Sequence, residues 1–400
     1  MRVLQVVKTV DGAKWAVDQV RELVAMGVEV HVALPRLHGR FIEQWRDSGA
    51  QLHELAMDLP IRKPWLLPAL LETVRNFVEQ LKPDLIHSHF FGTTVVLRYA
   101  LGKNHIIPRV FQVPGPLHLE HAFFRRWELS TAGERDYWIG SSRCILDHYR
   151  RAGVSEEHLF LSYYGNRQQS VETQLGALRT RLGISDQDRV IGNINYLYPP
   201  KWYLGQSKGL KRHEDVIDAL GLVLTERPDV LGVLIGGQWG GGSSYERRLH
   251  KRAEQVGHGR IMMPGHMASD DVQNAWADFD LAVHVPSSEN CGGVVEPLIS
   301  GVPVIAARVG GLPEVVLDGV TGLLVESGNI EQMAKAMIKA LDQMDLYREM
   351  AQCGQGLVVR MFDVRRTASE VRAIYAHLLH GAKAPPAFDS RAFATGEDGE

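Results

Sequence analysis

The chain has 400 residues, more than one hydrophobic core usually organises, so its length predicts two domains of ordinary size. A composition of 45% hydrophobic and 23% charged residues is that of a globular protein and argues against a disordered or fibrous chain. The formal net charge is −3, and the sequence has no run rich in lysine and arginine. Nucleic acid is therefore not expected as a partner.

The three cysteines, Cys144, Cys291 and Cys353, are too far apart for a disulfide framework or a CxxC metal site. This cysteine usage fits a reducing compartment. The first apolar run, Met1–Val7, is much shorter than a membrane span and resembles a buried strand. We expect a cytoplasmic protein, with peripheral contact at the inner membrane face as the alternative.

Apolar runs of strand length alternate with amphipathic stretches along nearly the whole chain, which is typical of parallel sheets covered by helices. Near the start, Asp11–Met26 has apolar residues at helical spacing between two strand-like runs, so it predicts an opening βαβ unit. The predicted strands of the first half are Arg2–Val7, Glu29–Leu34, Asp84–His89, Arg109–Val113 and Tyr137–Gly140.

After the polar stretch Gln168–Gln187, the strand–helix pattern begins again, which predicts a second domain. We expect two doubly wound, Rossmann-like α/β domains, residues 1–170 and 186–364, that face a central crevice. Residues 365–381 are predicted as a helix that crosses between the domains, and residues 382–400 as a disordered tail. The predicted strands of the second domain are Val190–Asn195, Val230–Ile235, Arg260–Met263, Leu281–Val285, Pro303–Ala306 and Gly322–Val325.

Polar residues follow the strands of the first half, where doubly wound sheets usually bind ligands. Asp11, Gly12 and Lys14 lie between the first strand and the first helix. Gly12 would let the backbone approach a phosphate, or it simply begins the helix. His87 and His89 end another strand and either line a pocket or are satisfied inside the core. The first turn lacks a GxGxxG pattern, which argues against a dehydrogenase or a Rossmann-type epimerase.

The most informative segment follows the strand Leu281–Val285. A glycine turn there precedes a predicted short helix, Val294–Gly301, and such a helix start offers free backbone N–H groups to a diphosphate. Two carboxylates in the segment suit the hydroxyls of a ribose or hexose, so a nucleotide sugar is predicted; the simpler alternative is a turn and a helix start. The predicted donor-binding residues of the segment are Ser288, Glu289, Asn290, Cys291, Gly292, Gly293 and Glu296.

Over Pro286–Ile305, Gly310–Val316 and Asp318–Gly322, the sequence resembles glycosyltransferase family 4, with weaker similarity across Met1–Leu379. The resemblance implies a GT-B fold and a retaining, metal-independent transferase without a cofactor. Its substrates would be a nucleotide sugar, a UDP-sugar before a GDP-sugar, and a hydroxyl acceptor. The first domain would hold the acceptor and the second the hexose or amino-hexose donor. A GT-B-like epimerase or phosphorylase and a catalytically silent binder are the alternatives.

The family's donor motif places seven residues between two glutamates, the first near the sugar hydroxyls and the second on the ribose. Glu289 and Glu296 enclose only six residues, and a spacing of seven would begin at Ser288. By this resemblance Glu296 takes the ribose. Either Glu289, through a shortened turn, or Ser288 takes the sugar.

The family also neutralises the leaving diphosphate with an arginine and a lysine. Asn193 stands where the arginine would be, and Lys211 best matches the lysine, with Lys208 and Lys201 as rivals. His118 best matches a histidine that family members place near the reacting sugar. The resemblance thus implies His118, Lys211 and Glu289 as catalytic residues. Gly12 and Lys208 join the donor-binding set, and Asp11, Lys14, His87 and His89 are acceptor candidates.

Two segments combine apolar and basic residues, Arg62–Leu71 and Phe123–Trp127. Such segments would suit a membrane surface if the acceptor is a lipid. Helices that face the core explain them more simply, and core-facing helices are expected here.

Overall fold

The computed structural model of the chain describes residues 1–167 and 174–395. The chain divides into two compact units. One comprises Met1–Gln168 and Met361–Phe388, and the other comprises Gln169–Arg360 and Asp389–Glu400. Each unit is a parallel sheet with helices, which confirms the prediction of two doubly wound, Rossmann-like α/β domains.

Over residues 1–167, the first unit carries seven parallel strands in the order β3-β2-β1-β4-β5-β6-β7. The strands are β1 Arg2–Val6, β2 Glu29–Leu34, β3 Gln51–Glu54, β4 Leu85–Ser88, β5 Arg109–Val113, β6 Asp136–Gly140 and β7 Leu159–Leu161. The helices are α1 Lys14–Ala25, α2 Ile42–Arg46, α3 Leu67–Leu81, α4 Phe91–Leu101, α5 Leu117–Glu120, α6 Ala122–Thr131 and α7 Arg143–Arg151. Val3 of β1 packs in the core on one face of the sheet, and Leu4 and Val6 pack in the core on the other.

Over residues 174–360, the second unit carries six parallel strands in the order β10-β9-β8-β11-β12-β13. The strands are β8 Arg189–Ile194, β9 Val230–Ile235, β10 Ile261–Gly265, β11 Leu281–His284, β12 Val304–Ala307 and β13 Leu323–Val325. The helices are α8 Ala177–Leu182, α9 His213–Glu226, α10 Ser244–Gly257, α11 Ser269–Ala277, α12 Val295–Ile299, α13 Leu312–Val315, α14 Ile330–Asp342 and α15 Met344–Met361.

The C-terminal region has a helix where one was predicted, at residues 365–381, and departs from the prediction beyond it. Helix α16, Val364–His380, belongs to the first unit and is capped by the Asp363 carboxylate, which accepts backbone N–H groups of its first turn. The chain continues to a further helix, α17 Ser390–Thr395, so a disordered tail is wrong for those residues. The reason is two aromatic anchors that the polar composition concealed, because Phe388 and Phe393 each lie under an arginine guanidinium. Residues 396–400 lie outside the described residues.

The predicted burial of the segment near Trp65 is also only partly correct. Leu70, Leu71 and Val74 of α3 pack on the core as expected. Trp65 and Leu66, however, lie in a short 3-10 helix before α3 and are 69% and 48% exposed. Among the described residues, no helix is long and apolar enough to cross a membrane.

Candidate functional site

The candidate site lies at the carboxyl ends of β8 and β11 in the second unit. These neighbouring strands are a topological switch point, because the chain continues from β8 to β9 on one side and from β11 to β12 on the other. Crevices that bind ligands open at such points. Lys211 comes from the segment after β8, and Glu289 comes from the turn after β11.

The Glu289 carboxylate is the centre of the site. Its Oε2 forms an ion pair with Lys211 Nζ and accepts a hydrogen bond from His284 Nε2 at 3.2 Å, and its Oε1 accepts the Asn290 N–H at 3.1 Å. Burial alone would raise the pKa of Glu289, but the Lys211 ammonium and the His284 hydrogen bond lower this pKa to about 2. The carboxylate is therefore ionised at neutral pH.

His284 orients this carboxylate, and the sequence did not single it out. Its Nδ1 lies 3.2 Å from the Asn195 amide nitrogen, which can only donate, so the ring proton is on Nε2 and points to Glu289. Burial lowers the pKa of His284, which keeps the ring neutral. Gly293 is required beside it, because a Cβ there would lie 2.0 Å from His284 Nε2. This close packing explains why residue 293 is glycine, independently of any role in binding phosphate.

Replacing His284 with leucine is expected to lower kcat/KM for donor turnover about 10- to 100-fold, the worth of one hydrogen bond to a charged group. His284→Gln, whose amide can still donate to Glu289, is expected to recover part of this loss. Steady-state kinetics on both variants, with thermal unfolding as the folding check, measure the effect. Equal losses in the two variants would show that His284 acts through packing alone.

Backbone contacts hold the two sides of the site together. The Ser287 N–H donates to the Leu210 carbonyl at 3.0 Å, next to Lys211. On the other side, Gly310 has a φ of 55°, and a Cβ there would lie 1.7 Å from the Glu289 carbonyl oxygen. Only glycine fits this position. The turn that carries Glu289 is therefore held by the Leu210 carbonyl on one side and packed against Gly310 on the other.

The structure separates Lys211 from its rival Lys208. Lys208 forms an ion pair with the fully buried Asp215, whose other oxygen lies 3.3 Å from Arg212. Asn193, in the position of the family's arginine, donates to the Val283 carbonyl at 2.7 Å and so joins β8 to β11. Of the candidate basic residues, Lys211 is the one in contact with Glu289.

The remaining donor-binding candidates differ in exposure. Ser288 is buried, and Cys291 is buried with its Sγ 3.4 Å from the Gly311 carbonyl. Gly292 begins a 3-10 turn, and α12 then has only five residues, shorter than the predicted helix. Glu296 is exposed in the first turn of α12, where it accepts the indole N–H of Trp276 at 3.3 Å.

In the first unit, Asp11 holds the loop after β2. It forms an ion pair with Arg36 and accepts the Arg40 N–H at 2.9 Å, which occupies both carboxylate oxygens. Gly12 precedes α1, and Lys14 is the first residue of that helix.

The three predicted histidines of the first unit lie in packed surroundings. His87 is fully buried and bonds to Tyr375, and His89 uses both ring nitrogens, one on Gln5 and one on Tyr164. Burial lowers the pKa of His89 to about 3. Neither ring is available to an acceptor in this arrangement, because both side chains are fully buried.

His118 packs against two phenylalanine rings, Phe91 and Phe111, at centroid distances of 5.5 and 5.8 Å. Burial lowers its pKa to about 4. His118 is therefore neutral at pH 7. Within residues 1–167 and 174–395, no group of three or more His, Cys, Asp or Glu side chains is placed to hold a metal ion.

Two family models match the two units. Residues 12–165 match the model described as Glycosyltransferase Family 4, and residues 201–356 match the model described as Glycosyl transferases group 1. The chain belongs to glycosyltransferase family 4. The recognition from the Pro286–Ile305 segment is thereby confirmed.

Two curated relatives illustrate the similarity of this family 4 chain. It is 28% identical over 401 residues to a D-inositol 3-phosphate glycosyltransferase of Thermobispora bispora, covering 91% of the chain and 89% of the relative. It is 28% identical over 207 residues to the N-acetyl-alpha-D-glucosaminyl L-malate synthase of Bacillus anthracis, covering 52% of the chain. The chain spans about half the length of that relative, and less than half of several other D-inositol 3-phosphate glycosyltransferases.

Among solved structures, Anabaena Alr3699/HepE in complex with UDP and glucose superposes on the family 4 chain with a TM-score of 0.75. Its sequence identity is 21%, and the superposition covers 94% of this chain and 99% of HepE. At this identity the likeness shows the fold alone.

Sequence reasoning also missed Asn195, which contacts His284. Asn195 lies two residues after Asn193, just beyond β8. Because residues i and i+2 of a strand share one face, this spacing is the sequence signal that could have linked Asn195 to Asn193. Tyr198 belongs to the aromatic segment Tyr196–Tyr203 after β8, which the sequence suggested as a determinant of substrate choice. Burial and the Glu289 charge both raise the pKa of its hydroxyl.

Proposed function

We propose that this chain is a retaining, metal-independent glycosyltransferase that moves a hexose or amino-hexose from a nucleotide sugar to an acceptor hydroxyl. UDP is the first candidate for the nucleotide. The observation that carries the proposal is the Glu289 carboxylate, held between Lys211 and His284 at the switch point of the second sheet. Family membership and the UDP and glucose named for the HepE structure support this choice.

In the proposed reaction, the bond between the anomeric carbon and the diphosphate oxygen breaks. The acceptor oxygen bonds to that carbon from the same face, and the acceptor proton passes to the departing phosphate. Negative charge grows on the diphosphate, and Lys211 supplies the compensating positive charge. Glu289 accepts hydroxyl groups of the donor sugar and Glu296 those of the ribose. No side chain is required as a general base.

A panel of UDP-, GDP-, ADP- and dTDP-hexoses, scored by thermal shift, tests donor binding. A donor that binds only the folded chain stabilises it by mass action, and we expect UDP-hexoses to raise the unfolding temperature most. Glu296→Ala is expected to remove most of this shift. Because Glu296 also accepts the indole N–H of the buried Trp276, the shift is measured from the unfolding temperature of the free variant.

Product analysis separates the proposal from its alternatives. An α-linked glycoside formed from an α-linked donor, with activity unchanged by a metal chelator, is the expected result. Release of a free epimer or of a sugar phosphate would instead identify an epimerase or a phosphorylase. Donor binding without turnover across a panel of sugar, lipid and small-molecule hydroxyl acceptors would indicate a silent binder.

A further inference from the structure

The loop Ile61–Leu66 of the first unit presents six consecutive exposed residues to solvent, three of them large and apolar. Ile61, Trp65 and Leu66 are 79%, 69% and 48% exposed. Monomeric soluble proteins expose single apolar residues commonly, but contiguous apolar groups usually mark an interaction site. We call Ile61–Leu66 the apolar–basic loop.

Three backbone N–H groups of the loop are bonded to carbonyl groups within or next to it. The Ile61 N–H donates to Leu59, the Lys63 N–H to Pro60, and the Leu66 N–H to Lys63. Pro64 has no N–H to satisfy. Each of these bonds lowers the cost of moving the backbone from water to an apolar environment. The apolar side chains are thus displayed by an ordered turn.

The charge pattern identifies the partner surface. Between Asp58 and Glu72 the only charged residues are Arg62 and Lys63, both exposed and, among the described contacts, outside any ion pair. Tryptophan favours the boundary between lipid headgroups and acyl chains, and two adjacent cations favour anionic headgroups. A protein partner would require complementary shape, whereas a bilayer accepts a small convex loop.

We propose that the apolar–basic loop binds the surface of an anionic lipid bilayer. Ile61, Trp65 and Leu66 enter the headgroup boundary, while Arg62 and Lys63 contact lipid phosphates. Phe123, near the start of α6, is another exposed apolar residue of the first unit, at 61% exposure. The inference does not depend on the proposed activity, because neither donor nor acceptor takes part.

Co-sedimentation of the full chain with vesicles tests the inference. Wild-type protein is expected to sediment with vesicles of phosphatidylcholine and phosphatidylglycerol, but not with phosphatidylcholine alone. Binding should weaken when salt rises from about 0.1 M to about 1 M, because the Debye length falls from about 10 Å to about 3 Å. The pair Arg62→Gln and Lys63→Gln is expected to abolish the preference for anionic lipid.

The apolar contribution is tested with a matched tryptophan pair. Trp65→Ser is expected to lower vesicle binding about tenfold, whereas Trp202→Ser, at a tryptophan that is 85% exposed in the second unit, leaves it unchanged. Both residues are exposed, so unfolding temperatures should match wild type. Equal binding of Trp65→Ser and wild type, or no sedimentation of wild type, would overturn the proposal. So would a concentration-dependent dimer that Trp65→Ser dissociates, since a second copy would then occupy the loop.

Discussion

Lys211→Met is expected to lower kcat for hexosyl transfer about 100- to 1,000-fold, the usual effect of removing one group that stabilises developing negative charge. In the free protein the Lys211 ammonium neutralises Glu289, and both side chains are about 85% buried. In the proposed mechanism, the diphosphate of a bound donor would offer this ammonium a stronger anion, and the carboxylate would become available to sugar hydroxyls. Nucleoside diphosphate release under saturating donor measures the change.

Two further variants separate catalysis from structure. Lys251→Met, at an exposed lysine of α10, is the matched control and should change kcat by less than twofold. In a Glu289→Gln background, Lys211→Met should cost less than it costs alone, because paired residues do not contribute additively. Additive losses would mean that the ion pair in the free protein has no part in the reaction. A loss with Lys211→Met no larger than with Lys251→Met would remove Lys211 from the mechanism.

Glu289 also makes a pH prediction. Its pKa is lowered to about 2 from an ordinary value of 4.5, so its ionised form stabilises the fold at every pH above 4.5. This contribution decreases as the pH falls from 4.5 towards 2. The pH profile of kcat/KM for the donor reports ionisations of the free protein, so between about pH 5 and 9 it should show no loss that titrates with Glu289. An acid limb near pH 5 that disappears in Glu289→Gln would contradict the depressed pKa.

The sequence predicted most of the fold because both sheets have buried central strands, which appear as nearly continuous apolar runs. The two strands that it missed, β3 and β7, lie at the edges of the first sheet. Strand β3 is the polar run Gln51–Glu54, and β7 has only three residues. A short or polar edge strand is specified by its neighbour in the sheet, and a pattern of local hydrophobicity does not record that neighbour.

The site was predictable where chemistry is local in the chain and unpredictable where it depends on packing. The turn from Glu289 to Gly293 carries its carboxylate and glycines in one run, so the sequence identified it. Two contacts separate Lys208 from Lys211. Lys208 is held in an ion pair with Asp215, and the chain turns at Arg212, which has a φ of 54°. Neither feature can be recognised from the local sequence.

A buried charge network in the first unit provides the largest expected effect on stability. Asp136 accepts Arg98 Nε at 2.9 Å, a nitrogen of Arg109 at 2.5 Å and the Gly133 N–H at 2.7 Å, and Arg98 also pairs with Glu128. All four charged side chains are at most 2% exposed. Water cannot replace a missing partner at such depth, so loss of one carboxylate charge leaves a guanidinium uncompensated.

Asp136→Asn is therefore expected to lower the free energy of unfolding of the first unit by about 3–5 kcal/mol. Asp147→Asn is the control, because Asp147 forms an Asp–Arg pair with Arg150 in the same unit, with side chains 47% and 40% exposed. It should cost less than about 1 kcal/mol. Since a two-domain chain need not unfold in one step, hydrogen exchange of peptides from β5 and β6 resolves the first unit from the second. Both variants could instead lower the free energy of unfolding by the same small amount. The cost of burying these charges would then already offset their attraction, and the network would contribute specificity of packing instead of stability.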